Sequence, residues 1–125
     1  MSIIINKLTD APVVLETGRT RQWLANINLG SQNTSVLQNY FEIGGFVPAH
    51  FHEVEELLIC LEGKGVVIAD GVKYDFNQGD TAIIPPTVIH EVHNVGDSTM
   101  RMLGVFPSNQ PKGTWIENDN IKINK

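Results

Sequence analysis

The sequence predicts an all-β fold, a sandwich or barrel of short strands. Apolar and β-branched runs recur at near-regular spacing along the chain. Turn-forming residues separate these runs, and no segment carries the 3.6-residue apolar stripe of an amphipathic helix. Many short strands with polar breaks are the signature of a sandwich or a barrel.

The elements follow in order. Residues 3–5, three isoleucines, read as a first strand, one that would be a hazard as a bare edge. Residues 13–15 and 23–27 are the next two runs. Arg19, Arg21, Gln22 and Trp23 make the chain's basic-aromatic patch, read as a solvated edge strand or as an anion site at a barrel mouth. Residues 36–43 alternate, with Gln38, Tyr40 and Glu42 on one face. Gly44-Gly45 breaks this strand before the extended His50-Phe51-His52. Residues 57–61 follow, with Leu58 and Cys60 on the face of Glu56. Asp70-Gly71 joins 66–68 to 72–74 as a two-residue hairpin. Residues 81–84 end at Pro85-Pro86. In 89–93, parity turns Glu91 and His93 away from the face of His90 and leaves Val92 and Asn94 on it. Residues 100–106 place Met102, Gly104 and Phe106 together. The polar tail, 108–125, is expected to hold one short element near Trp115-Ile116 or to lie loosely on the surface.

The bulk numbers narrow the classes of function. A chain of 125 residues suits one domain, 1–125. Within it, N-terminal strands occupy 1–30, the main barrel about 34–107 and the tail 108–125. Hydrophobic residues at 42% and charged residues at 18% describe a globular rather than a disordered chain. A net charge of -5 argues against nucleic acid and anionic membranes, which reward clustered Lys and Arg. Cys60, the single cysteine, permits no internal disulfide, and its apolar flanks make it a buried, inert thiol. The N-terminal apolar run is too short for a signal peptide, and no run approaches a membrane span. A cytoplasmic protein is expected.

The chemistry sits in histidines and one carboxylate. His50 and His52, two apart on an extended segment, point to one face. Glu56 follows four residues later and opens an apolar run, where a buried carboxylate is costly without a cation. His90 has to arrive from elsewhere in the fold. Three neutral imidazoles and a carboxylate would cage a divalent transition metal if they converge; surface histidines on a loop are the alternative. Glu55 competes with Glu56 for the carboxylate position.

From Gly44 to Gly63 the chain reads G-x5-H-x-H-x3-E-x6-G, which resembles the first cupin motif. Gly79, Pro85, His90 and Asn94 resemble the second, G-x5-P-x-G-x2-H-x3-N, with Thr87 where the family usually has Gly. The resemblance implies a small double-stranded β-helix (jelly-roll) barrel of the cupin-2 type. It carries the ligand role onto His50, His52, Glu56 and His90, and with it one divalent metal per chain: Fe, Mn, Ni, Co, Cu or Zn. It also implies a homodimer that covers an exposed sheet edge.

Function is expected to be metal-dependent work on a small oxygenated molecule. Dioxygenase-like oxidation and isomerase or lyase chemistry are its two forms; a non-catalytic metal- or metabolite-sensing module is the alternative. Gln38, Tyr40, Met102 and Phe106 are the candidate substrate contacts, and Glu56 or Tyr40 the candidate proton carrier. Asn94 is expected to fix a loop through side chain to backbone hydrogen bonds.

Overall fold

A computed structural model of the protein describes residues 2–117 and 120–124. The strands are β1 (Val14–Glu16), β2 (Arg19–Ala25), β3 (Ser35–Phe41), β4 (Phe46–His52), β5 (Glu56–Glu62) and β6 (Lys64–Ala69). They continue with β7 (Val72–Asn77), β8 (Thr81–Ile84), β9 (His90–Asn94), β10 (Met100–Phe106), β11 (Gly113–Glu117) and β12 (Asn120–Asn124). They form two antiparallel sheets, ordered β1-β2-β3-β10-β5-β8 and β12-β11-β4-β9-β6-β7. Chain-distant strands become neighbours in both sheets, the mark of a jelly-roll barrel.

Period-two alternation builds the interior. Met100, Met102, Gly104 and Phe106 of β10 are buried, and the residues between them are not. Glu56, Leu58 and Cys60 of β5 and His90, Val92 and Asn94 of β9 obey the same rule. Phe41, Leu58, Cys60, Val67, Phe76, Val92 and Met100 form the packed end of the barrel. Each large apolar side chain buried there contributes roughly 1.5–3 kcal/mol. The inward rows of β4, β5 and β9 change from apolar residues to His and Glu along their length, so the same pattern that builds the core delivers the polar cluster.

Turn chemistry fixes the register. Asp70 (φ 51°) and Gly71 (φ 74°) both adopt left-handed backbone, as the tight β6–β7 hairpin requires. Asn94 is buried, as expected for a loop-fixing residue. Its Nδ2 donates to the carbonyls of Phe41 (3.2 Å), Glu42 (3.0 Å) and Ser98 (2.9 Å), and its Oδ1 accepts from Gly96 N–H (3.0 Å). Thr87 has φ 65°, left-handed backbone at the position where the motif usually has Gly.

Two expectations need correction. Residues 3–5 form no strand; Ile3, Ile4 and Ile5 are exposed, and β1 takes the sheet edge instead. Asn6 Nδ2 donates to Leu29 O (3.1 Å), which ties this arm to the loop after β2. The run at 23–27 is the end of a longer strand that begins at Arg19 and pairs with β3 from Arg19↔Phe41 onward. Its polar residues are compatible with a strand because its inner face borders a polar cavity. Asn26 ends it by accepting from Leu29 N–H (3.2 Å), capping a 3-10 turn at Ile27–Leu29. The tail takes the first of its two expected forms: β11, around Trp115-Ile116, pairs with β4 and extends the second sheet.

Candidate metal centre

His50 and His90 stand opposite one another in the β4–β9 ladder. His52 lies one alternation further along β4, and Glu56 projects from β5 in the facing sheet. Their ligand atoms all lie within 4.8 Å of one another. Glu56 Oε1 is 3.3 Å from His90 Nε2 and 3.6 Å from His52 Nε2. Two donors on one ion at about 2.1 Å each stand about 3–4 Å apart, so the cluster is close to ligand spacing. Glu55 is exposed and outside the group, which leaves Glu56 as the carboxylate.

Backbone carbonyls set the protonation of all three imidazoles. His50 Nδ1 lies 2.8 Å from Pro48 O, His90 Nδ1 2.9 Å from Val88 O and His52 Nδ1 2.9 Å from Lys112 O. A carbonyl only accepts, so each Nδ1 is the N–H donor and each neutral ring turns an Nε2 lone pair inward. Glu56 Oε1 and His90 Nε2 are buried without a hydrogen-bond partner, although they are 3.3 Å apart. That proximity is of two acceptors and lacks hydrogen-bond geometry. Four lone-pair donors with no shared proton fit a divalent cation. Burial, with the adjacent His90, pushes the His50 imidazole down to about 3, so it is neutral and ligand-competent at any ordinary pH.

The cluster forms part of the wall of a cavity of about 80 Å³. Met102 and Phe106 line it, as expected, together with Leu58, Val92 and Trp115. The Glu56 carboxylate lies over Gly104, where a Cβ would stand 2.8 Å from Oε2.

The chain matches the cupin domain model over residues 40–106. It belongs to the cupin family. An uncharacterized protein of Methanocaldococcus jannaschii is 31% identical over 70 residues, 55% of this chain and 56% of that one. This cupin thus spans little more than half the length of that relative. Among solved structures, the polyketide cyclase RemF of Streptomyces resistomycificus aligns with TM-score 0.75 and 22% identity over 94% of this chain and 89% of its own. A variant of the oxalate decarboxylase OxdC of Bacillus subtilis aligns with TM-score 0.79 and 20% identity, over 87% of this chain and 31% of its own. At such identities these likenesses speak for the fold.

The cupin's cavity differs from the sequence expectation on two walls. Gln38 and Tyr40 do not reach it. β10 pairs Met102 with Asn39 and Phe106 with Ser35, so the odd residues of β3 face inward and the even ones outward. Parity survives the Gly44-Gly45 turn, with Phe41 and Val47 both in the core, and is reversed within β4 by a bulge between Val47 and His50. Gln38 Oε1 instead accepts from Arg101 Nε (2.8 Å), and Tyr40 lies beneath the Arg101 guanidinium, 5.8 Å from its ring centre.

Sequence reasoning missed a contribution from the segment around Lys112 and Trp115. Lys112 O orients His52, and the Trp115 ring stacks on His50 with centres 4.8 Å apart. The β-branched and aromatic alternation of Gly113-Thr114-Trp115-Ile116 was the available signal. Arg19, Arg21 and Trp23 of β2 border the cavity, so of the two readings of the basic-aromatic patch the place at the barrel mouth holds and the solvated edge does not. His93 faces outward, stacked on Phe46 and 2.9 Å from Glu91.

Proposed function

We propose that this cupin binds one divalent transition metal through His50, His52, Glu56 and His90 and is an enzyme acting on a small oxygenated molecule. The observation that carries this is the set of three imidazoles whose Nδ1 atoms are committed to backbone carbonyls, leaving Nε2 lone pairs beside a buried carboxylate. When bound, the metal supplies a Lewis-acidic or redox-active centre for a substrate oxygen or for O2.

The chain's own groups do the rest. The carbonyls of Pro48, Val88 and Lys112 hold the imidazoles in one tautomer and one orientation. Leu58, Met102, Phe106 and Trp115 give the cavity an apolar lining that excludes water around the polar cluster. Glu56 is the one carboxylate among the described lining residues, so a proton released in the cavity is taken there. Cupins of similar fold include a polyketide cyclase and an oxalate decarboxylase, which supports an enzymatic role.

A non-catalytic metabolite-sensing module is the second reading. The scarcity of proton-carrying side chains in the cavity favours it. Loading the protein with Fe(II), Mn(II), Ni(II) or Zn(II) and screening small oxygenated compounds separates the readings. Substrate-dependent O2 consumption by the iron form marks an oxygenase. Product without O2 uptake marks an isomerase or lyase. Saturable binding with no product under any metal overturns the enzyme in favour of the sensor.

The proposal also takes the protein as a single-domain, cytoplasmic homodimer without nucleic-acid or membrane partners. The exposed Ile3, Ile4 and Ile5 support a covering subunit, and no helix among the described residues is long and apolar enough to cross a membrane. A monomer mass by light scattering at micromolar concentration would contradict the dimer.

A further inference from the structure

We propose that Arg19 is the anion-recognition residue of the cavity and that the ligand is a small organic acid. Its carboxylate takes the Arg19 guanidinium while its remaining oxygens reach the His50–His52–Glu56–His90 cluster. The second contact rests on the metal reading above; the first does not.

Arg19 leads the inner row of β2, with Arg21 and Trp23, and all three line the same cavity as the histidines. It is only 7% exposed. Its Nη1 donates to Asn39 Oδ1 at 3.0 Å, a neutral acceptor on β3. Among the described residues it forms no ion pair. Glu16, the carboxylate whose field reaches Arg19, is engaged by Arg21, whose Nε and Nη2 both lie 3.1 Å from Glu16 Oε1. A buried guanidinium with a neutral partner on one of its five donors, and with its neighbouring carboxylate shared with Arg21, is an incompletely compensated charge, and folded proteins compensate such charges. Its planar fork matches a carboxylate in two parallel hydrogen bonds.

Charge and size narrow the ligand. Arg21 and Glu16 cancel. Arg19 contributes one positive charge, Glu56 one negative and a divalent metal two positive, so the loaded cavity carries an excess of about two positive charges. The positive charge of Arg19 is among the influences on His50, which places it within electrostatic reach of the cluster. A cavity of about 80 Å³ is far below the roughly 300–1,000 Å³ of sites for drug-sized ligands, which points to an acid of a few carbons. A single guanidinium free of a carboxylate partner (Arg21 is paired with Glu16), with no helix N-terminus among the described lining residues, favours a carboxylate over a phosphoryl group.

The test uses the whole chain, zinc-loaded, with malonate as the probe and malonamide as its neutral analogue. Both tryptophans of the chain, Trp23 and Trp115, line the cavity, so intrinsic fluorescence reports occupancy. Malonate is expected to bind saturably, with malonamide at least tenfold weaker. Arg19→Gln should weaken malonate at least tenfold while zinc stoichiometry stays at one per chain, and Arg19→Lys should recover part of the loss. Unchanged malonate binding by Arg19→Gln, or equal binding of malonamide, overturns the proposal. Inorganic phosphate binding more tightly than malonate overturns the carboxylate assignment.

The same titrations on metal-free protein separate the two readings. If zinc does not bind, the metal reading falls, while weaker malonate binding by metal-free Arg19→Gln than by the metal-free wild type still decides the role of Arg19. Arg19→Lys, which keeps the charge and loses the planar fork, takes its place if Arg19→Gln does not fold, and wild-type malonate affinity in Arg19→Lys then overturns the paired-carboxylate assignment.

Discussion

Gly104→Ala is a one-carbon probe of the carboxylate ligand. Gly104 lies in β10, paired with Leu58 of β5, and the Glu56 side chain folds across it. Its backbone is not among the positive-φ positions, so alanine is free to adopt it. The added Cβ would stand 2.8 Å from Glu56 Oε2 and 3.7 Å from Phe106 Cε2. Ordinary contact begins near 3.4 Å, so the carboxylate retreats by about 0.6 Å. Metal sites tolerate errors of about 0.2 Å in ligand distance. The displaced group is the far end of a flexible side chain, so the cost in stability is at the low end of the roughly 1–3 kcal/mol of overpacking. Metal affinity should fall about 10- to 100-fold, the range seen when a ligand loses its support. Competition against a chromophoric chelator measures the affinity, and chemical denaturation of the metal-free protein measures the stability. Wild-type affinity in a variant that folds normally would refute Glu56 as a ligand.

Three further perturbations test the frame around the site. Thr87→Gly relieves a β-branched residue with φ 65°; the left-handed penalty of about 1–2 kcal/mol exceeds the roughly 0.5–1 kcal/mol entropic cost of glycine, so denaturant titration should show a net gain, and a loss would contradict the strain. Asn94→Ala removes the contacts to four backbone groups, three of them carbonyls sharing the two N–H of Nδ2, and the same titration should show a loss of about 2–4 kcal/mol; a loss below about 1 kcal/mol would contradict the loop-clamp role. The His50 imidazole is held down to about 3 by burial and by His90, whereas the unfolded chain takes up the proton near the ordinary 6.5. Below 6.5 the unfolded state therefore binds more protons, and metal-free stability falls with pH down to about 3 by on the order of 1 kcal/mol per pH unit from this group. The slope between pH 6 and 4 should be shallower in His50→Gln, and equal slopes would contradict the depressed value.

The metal cluster was legible in the sequence because its geometry is local. His50 and His52 share a face by strand alternation alone, and Glu56 opens a run whose burial follows from its apolar neighbours. His90 came from motif spacing, and the structure sets it opposite His50. Parity failed at a bulge: β4 carries an extra residue against β9 between Val47 and His50, so the inward set changes there from odd to even numbers, and Leu37 and Asn39 rather than Gln38 and Tyr40 share the cavity with the histidines. The contribution of Lys112 was illegible, and Arg19 stayed open between an edge strand and a barrel mouth, for another reason. Each reaches the site through strand pairing with a distant partner, β2 with β3 and β11 with β4, and no local pattern encodes that pairing. A polar strand such as Arg19–Ala25 looks like a solvated edge until its neighbour is known.

The central claim is that His50, His52, Glu56 and His90 hold one transition metal. Elemental analysis of protein purified without added metal, followed by titration of the chelator-stripped chain with Fe(II), Mn(II), Ni(II) and Zn(II), tests it most directly. The account predicts close to one metal per chain, with affinity falling at least tenfold in His50→Ala and in His90→Ala. A folded, stripped protein that stays empty with all four metals would contradict it.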